Sequence, residues 1–190
     1  MLDHVFADAI GALRSALELA LLERRAVEER FTTDALLGDT RWETSYSIPG
    51  EGVPPRVQAD MTLLWPTWSQ TVYRSWYLTG ELSEIPAIEV EVVARAQRLA
   101  LPPEPEAVLI SLPQSSPQIG KTSLERSEGA TVEISYSDDL RITDYAIEIG
   151  YSGVFELQAD VLADGNLLDE MFNAFGGWLS GTLIQLSDSV

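Results

Sequence analysis

Apolar residues recur every three or four positions at the beginning of the chain, which predicts a long amphipathic helix over residues 3–30. The stripe consists of Val5, Phe6, Ala9, Ile10, Leu13, Ala16, Leu17, Ala20 and Leu21. Charged residues fall mostly on the opposite side, and no proline interrupts the segment. A helix of this kind must bury its stripe against another layer of the protein.

In the middle of the chain the apolar pattern changes to a period of two, which predicts strands over 41–48, 56–63 and 87–93. In the run 68–78, aromatic residues occupy both even and odd positions, as in a strand covered on both faces. Residues 94–101 could extend the third strand or form a helix.

A proline-rich run at 101–105 is the best candidate break in the chain. An apolar strand is predicted beyond it, and then a meander of antiparallel hairpins in which Ser152-Gly153 forms the last turn. The predicted strands of this half are 107–112, 132–136, 145–151 and 155–161.

The last segment of the chain predicts a helix that is apolar around most of its circumference. Glycine inside a helix is unfavourable by about 1 kcal/mol relative to alanine, so the spacing of Gly177 and Gly181 indicates close approach to another backbone. Such a helix is either buried within the chain or paired with a second subunit. We expect a two-fold homodimer through Phe175, Trp178 and Leu179.

Together these patterns predict an α+β protein. Its core is a mostly antiparallel sheet of about seven strands, with the long N-terminal helix and the C-terminal helix packed on one face. We expect a single domain over 1–190, with a possible subdivision near 101–105.

The charge is strongly acidic, with a formal net charge of −18 in 190 residues. Residues 129–190 hold eleven acids against Arg141 alone. Such a surface repels phosphate backbones and anionic lipid, which argues against nucleic-acid or membrane partners. It would attract basic proteins, or it would simply keep the protein dissolved.

Four of the C-terminal acids occupy the polar positions of predicted strands, opposite the apolar set. These are Glu133, Glu148, Glu156 and Asp160. In an antiparallel meander they would share one sheet face, so we predict that they form the partner-binding surface.

The sequence has few residues suited to a cofactor site, a metal site or a catalytic triad. It lacks cysteine and its one histidine is His4, close to the start. The run Gly120-Lys121-Thr122 lacks the glycine that a phosphate-binding loop needs at the position of Ser115, so we interpret it as a surface loop. Glu89 and Glu91 share one strand face and could serve acid–base chemistry, although a solvated face explains them as well. We expect no cofactor, no metal and no enzyme activity.

Aromatic residues concentrate between Trp65 and Tyr77. Trp68, Tyr73 and Trp76 could line a pocket for a small apolar ligand, or they could pack beneath the N-terminal helix.

The leading hypothesis is a non-catalytic partner-binding protein, an adaptor or chaperone-like domain that presents acid to a basic protein client. Long helices on antiparallel strands combined with surplus acid are similar, in architecture alone, to bacterial export and secretion chaperones. The alternative is a small apolar-ligand binder with a cavity between helix and sheet. The beginning of the chain has no positively charged or continuous apolar run of a signal peptide, so we expect a cytoplasmic protein.

Overall fold

The computed structural model describes residues 4–24, 29–81, 83–163 and 166–190. Eight strands in this part of the chain form one antiparallel sheet, which confirms the predicted α+β class. In chain order the elements are α1 (His4–Leu19), β1 (Glu23–Arg24), β2 (Arg30–Thr33), β3 (Thr40–Ser47), β4 (Val57–Trp65), α2 (Thr67–Thr79), β5 (Ala87–Leu99), α3 (Pro105–Ser111), β6 (Glu125–Arg126), β7 (Thr131–Tyr136), β8 (Ile142–Glu156), α4 (Ala159–Ala163) and α5 (Asn166–Asp188).

The strands follow the order β1–β3–β4–β5–β8–β6, with β2 also beside β3 and β7 also beside β8. Each edge of the sheet is therefore formed by two separate strands. β1 and β2 pair with opposite ends of β3, and β7 and β6 pair with successive parts of β8. β4, β5 and β8 form the middle of the sheet.

One face of the sheet is the core of the molecule. Alternate residues of the central strands are buried on it, among them Met61, Val92 and Tyr151, which lie opposite one another in register. α1 and α5 pack against each other over this face, and α5 contacts β4 and β5. The Phe6 ring of α1 stacks on Trp65 at the end of β4, with ring centroids 5.5 Å apart. Each fully buried side chain of this size stabilises the fold by roughly 1.5–3 kcal/mol.

The N-terminal helix is shorter than predicted. It ends at Leu19, because Leu21 takes a left-handed conformation with φ of 61° and the chain then enters β1. Residues 25–28 of the predicted helix lie outside the described part. The apolar stripe from Val5 to Leu17 is nevertheless buried, as its period required.

The aromatic run 68–78 is a helix, so the alternating interpretation of it was wrong. Pro66 precedes the first turn with extended backbone, and Gly80 ends the helix with φ of 74° while its N–H bonds to the Trp76 carbonyl. The buried residues Ser69, Gln70 and Tyr73 lie at helical spacing on one side. Proline before the first turn and glycine after the last are the usual signs of a helix.

Near the proline-rich run, one open alternative is decided and one assignment was wrong. Residues 94–99 continue β5 and are not helical; the register with β8 shifts between Ala96 and Leu99, and Arg98 has φ of 58°. The segment 107–112, predicted as a strand, belongs largely to α3, which begins with Pro105 at a position where a proline needs no N–H partner.

The predicted turn at Ser152-Gly153 does not exist, because β8 runs without a break from Ile142 to Glu156. Gly153 is required for a different reason. A Cβ at this position would stand 2.8 Å from the carbonyl oxygen of Ser123, which belongs to the loop packed against it. Asp160 consequently lies on α4 and not on a strand.

Candidate partner-binding surface

The face of the sheet opposite α1 and α5 is called the open face here. Two rows of directly opposed residues cross it from β3 to β8. One row is Arg41, Leu64, Glu89 and Val154, and the other is Glu43, Thr62, Glu91 and Ser152. Directly opposed residues share a face, so charged, hydroxyl and apolar side chains are mixed in the middle of the open face.

A shallow depression of about 490 Å³ lies in these rows. Glu89 and Glu91 line it from β5, together with Leu64, Ser152 and Val154. Both carboxylates are exposed, and in the described ranges neither has an arginine or lysine nitrogen within salt-bridge distance. Glu43, in contrast, accepts a hydrogen bond from Arg41 Nη1 at 3.3 Å. The middle of the open face therefore carries two carboxylates without a direct ion pair, beside apolar surface and in the same depression as Arg41.

A second depression of about 440 Å³ adjoins the first at Thr62. Its floor holds Asp60, which accepts hydrogen bonds from Ser45 Oγ and from Gln58 Nε2 at 3.1 and 3.2 Å. Ser45 and Gln58 are buried although they lie on the open face. Sequence alternation assigned these residues to the polar face, but it carried no sign that they would form a recess.

Glu133 and Glu148 share the open face, as predicted, but one arginine compensates both. Arg95 lies opposite Glu148 in register; its Nη2 is 2.6 Å from Glu133 Oε2 and its Nη1 contacts Glu148 Oε1. Partial burial lowers the pKa of Arg95, but the Glu148 and Glu133 carboxylates outweigh this effect, so its pKa is raised. The charge of this pair is thus partly neutralised within the chain.

The other two predicted acids lie apart from that cluster. Glu156 is on the same side of β8 but at its far end, opposite Ala87, where Gln158 Nε2 donates to it at 2.7 Å. Asp160 lies on α4, where its Oδ1 accepts the backbone N–H of Val161 at 3.0 Å. The expectation that all four acids share one sheet face was therefore wrong, because β8 absorbs the predicted turn and the last predicted strand is largely α4.

The aromatic residues of the alternative hypothesis lie on α2. Tyr73 is buried, Trp76 is half-buried and Trp68 is 48% exposed. Tyr73 Oη lies 2.9 Å from His4 Nε2. A depression of about 370 Å³ beside them is lined by His4, Tyr73, Arg74, Tyr77 and Leu78, so of the three predicted pocket residues it includes Tyr73 alone.

The residues predicted for a dimer interface belong to the chain's own core. Phe175 and Leu179 are fully buried, and Trp178 is half-buried with its ring edge-on to Tyr151 at 5.0 Å. The close backbone approach is real but falls at Gly176, next to Ala16, and not at Gly177 or Gly181. The apolar circumference of α5 is thus explained within one chain, and self-association stays a prediction.

The remaining chemical motifs considered from the sequence are a phosphate-binding loop at Lys121 and a metal site. Lys121 is exposed in a tight turn, where Ile119 bridges to Thr122, and no helix follows it as in a phosphate-binding loop. Within the described ranges no three histidine or acidic side chains come together in a way that could hold a metal ion. Of the described helices, none combines the length and apolar character needed to cross a bilayer.

Comparison of the chain with protein-family models, with curated proteins and with solved structures gave no match.

Proposed function

We propose that this protein is a non-catalytic partner-binding protein, an adaptor or chaperone-like domain, which binds a basic protein client on its open face. One observation carries the proposal: the middle of the open face holds Glu89 and Glu91, both exposed and neither in an ion pair within the described residues, while Arg41, the cation that lines the same depression, pairs with Glu43. The rest of the acidic surface adds to the same field, since the net charge is −18.

The arrangement suits lysine and arginine side chains. Leu64 and Val154 lie directly opposite Glu89 on its two neighbouring strands. The apolar stem of a lysine or arginine can cover such residues while its charged end meets the carboxylate. An exposed ion pair contributes only about 0.2–1 kcal/mol, so affinity requires several contacts, and the charge mainly accelerates association and selects the partner.

Affinity capture from cells of the native host tests the proposal. We compare the wild-type protein with Glu89→Gln/Glu91→Gln and with the control Asp169→Asn/Glu170→Gln. The control removes two exposed charges from the helical side of the molecule, so both variants have the same net charge.

The expected result is a basic protein that the wild type and the control capture and that Glu89→Gln/Glu91→Gln loses. Binding of the purified pair should weaken steeply as salt rises. Equal losses in both variants would show that only net charge matters, and retention by Glu89→Gln/Glu91→Gln would remove the open face from the proposal.

The depression beside α2 supports a second candidate, binding of a small apolar ligand. Two tyrosine rings and Leu78 line about 370 Å³ there, and aromatic walls with a few polar groups are typical of ligand sites. A hydrophobic fluorescent dye should bind the wild type and lose binding in Tyr77→Ala. Retained dye binding in that variant would place the dye elsewhere.

A further inference from the structure

β7 is an edge strand of the sheet that is exposed along its whole length. All six of its residues, Thr131–Tyr136, are exposed, and among the described strands it pairs with β8 alone. Every second residue of such an edge strand directs its N–H and C=O groups away from the sheet. The outer edge of β7 therefore offers a row of hydrogen-bonding groups to another chain.

An apolar stripe runs along one side of this strand. Val132, Ile134 and Tyr136 are 37%, 44% and 58% exposed. Val132 lies opposite the fully buried Ile147, and Ile134 lies opposite Tyr145, so the stripe continues the core face of the sheet beyond the part that the helices cover. Proteins usually protect long edges with proline, lysine or bulges. The sequence Thr131–Tyr136 contains neither proline nor lysine, and the one register shift of the pair falls at its last residue, with the extra residue on β8.

Charge decides which chain fits this edge. Residues 128–148 contain six acids and one arginine, a net charge of −5, which Arg95 reduces to −4 through its ion pairs with Glu133 and Glu148. A second copy of this protein would bring the same negative charge against it, whereas a basic segment would be attracted. Glu133 lies on β7 between two residues of the apolar stripe and on the open face; it pairs with Arg95, and its side chain is still 47% exposed.

We infer that β7 binds an extended basic segment of the client by strand addition. Residues of this segment opposite Val132, Ile134 and Tyr136 are apolar, and the alternate residues are lysine or arginine beside Glu133. Main-chain hydrogen bonds along β7 provide affinity, and the alternating side chains provide specificity. This inference rests on the proposed function and adds to it, since the rest of the client then passes over Glu89 and Glu91.

A short acetylated and amidated peptide that alternates arginine and valine serves as the probe. The variant is Ile134→Lys, which places a cation in the apolar stripe. The control is Ile110→Lys on α3, where an exposed isoleucine of a different element receives the same charge. A second probe carries N-methyl groups on alternate amides and so loses the main-chain donors of one edge.

We expect Ile134→Lys to weaken peptide binding about tenfold or more, against about twofold or less for Ile110→Lys. Bound peptide should slow amide hydrogen exchange at alternate residues of β7, and the N-methylated peptide should bind weakly. No peptide binding, equal effects of the two lysine variants, or a doubling of the molecular mass that Ile134→Lys abolishes would each overturn the inference; the last would identify a second copy as the occupant.

Binding on the open face and strand addition at β7 can be disproved independently of each other. If Glu89→Gln/Glu91→Gln abolishes client capture while Ile134→Lys leaves both capture and peptide binding intact, strand addition is wrong and the proposed function stands. If Ile134→Lys abolishes peptide binding and Glu89→Gln/Glu91→Gln has no effect on capture, the edge binds and the open face does not.

Discussion

The backbone of α5 touches that of α1 where Gly176 meets Ala16: a Cβ placed on Gly176 would stand 2.3 Å from the carbonyl oxygen of Ala16 and 2.8 Å from its carbonyl carbon. The neighbouring Gly177 has open space at the same position. Glycine at 176 is therefore required by packing. It lets the two helices approach closely, so that they form one continuous layer over the sheet.

This contact predicts opposite effects for alanine at adjacent positions. Gly176→Ala should lower the free energy of unfolding by about 1–3 kcal/mol, because the helices must separate. Gly177→Ala should raise it by about 0.5–1 kcal/mol, because alanine favours the helix and meets no obstacle. Urea denaturation of the two variants measures both effects. A higher unfolding free energy for Gly176→Ala would contradict the close contact between Gly176 and Ala16.

Truncation of the α1 stripe should destabilise the fold strongly. Leu13 and Leu17 are buried, so Leu13→Ala and Leu17→Ala should each lower the free energy of unfolding by roughly 2–5 kcal/mol. Leu19→Ala is the matched control, because Leu19 is 74% exposed and should change stability by less than about 0.5 kcal/mol. Similar denaturation midpoints for all three would show that α1 is not part of the core.

Stability should depend on the protonation of Tyr151 at alkaline pH. Burial raises the pKa of its phenol to about 12 from a usual value of 10.0, although Arg126 opposes the shift. Because the folded-state pKa is raised, this contribution is fully present below pH 10 and is lost as pH rises toward 12, by up to about 1.4 kcal/mol per pH unit.

Tyr151→Phe tests the sign of that effect. This variant loses the hydrogen bond to the Pro113 carbonyl, 3.0 Å long, so it should be less stable near neutral pH. Its unfolding free energy should then fall less steeply than that of the wild type above pH 10. Parallel curves for the two proteins would contradict the assignment to Tyr151.

The turn around Lys121 should be inert toward nucleotides. The run Gly120-Lys121-Thr122 lies in a tight turn without a following helix, so ATP and GTP should give no thermal shift. Lys121→Ala should keep the stability of the wild type within about 0.5 kcal/mol. Nucleotide binding that this variant loses would contradict the loop interpretation.

Hydrophobic periodicity predicted the elements whose apolar residues lie on one side, such as α1, β3 and β4. It failed where a tertiary contact decides the local structure. Gly153 resembles a turn residue in the sequence, yet it is a glycine because Ser123 packs against a continuous strand. The helix over 68–78 could have been predicted, since Pro66 and Gly80 are helix-boundary signals.

The candidate site was predicted only in part, because some of its contacts also depend on tertiary structure. Alternation placed Glu133 and Glu148 on one face, and it identified Glu89 and Glu91 as a strand-face pair. It could not indicate that Arg95 pairs with the first two, because that depends on the register of β5 against β8. The apolar edge at Val132 and Ile134 also depends on how far the helices reach across the sheet.

Zero-length carbodiimide cross-linking of the client complex tests the central claim most directly. The reagent joins carboxylates to lysines, and this chain has thirty acids but Lys121 as its one lysine, so nearly every cross-link reports a lysine of the client. We predict that the linked peptides contain Glu89 or Glu91. Cross-links at Glu18, Asp169 and Glu170 on the helices, with none at Glu89 or Glu91, would contradict binding on the open face.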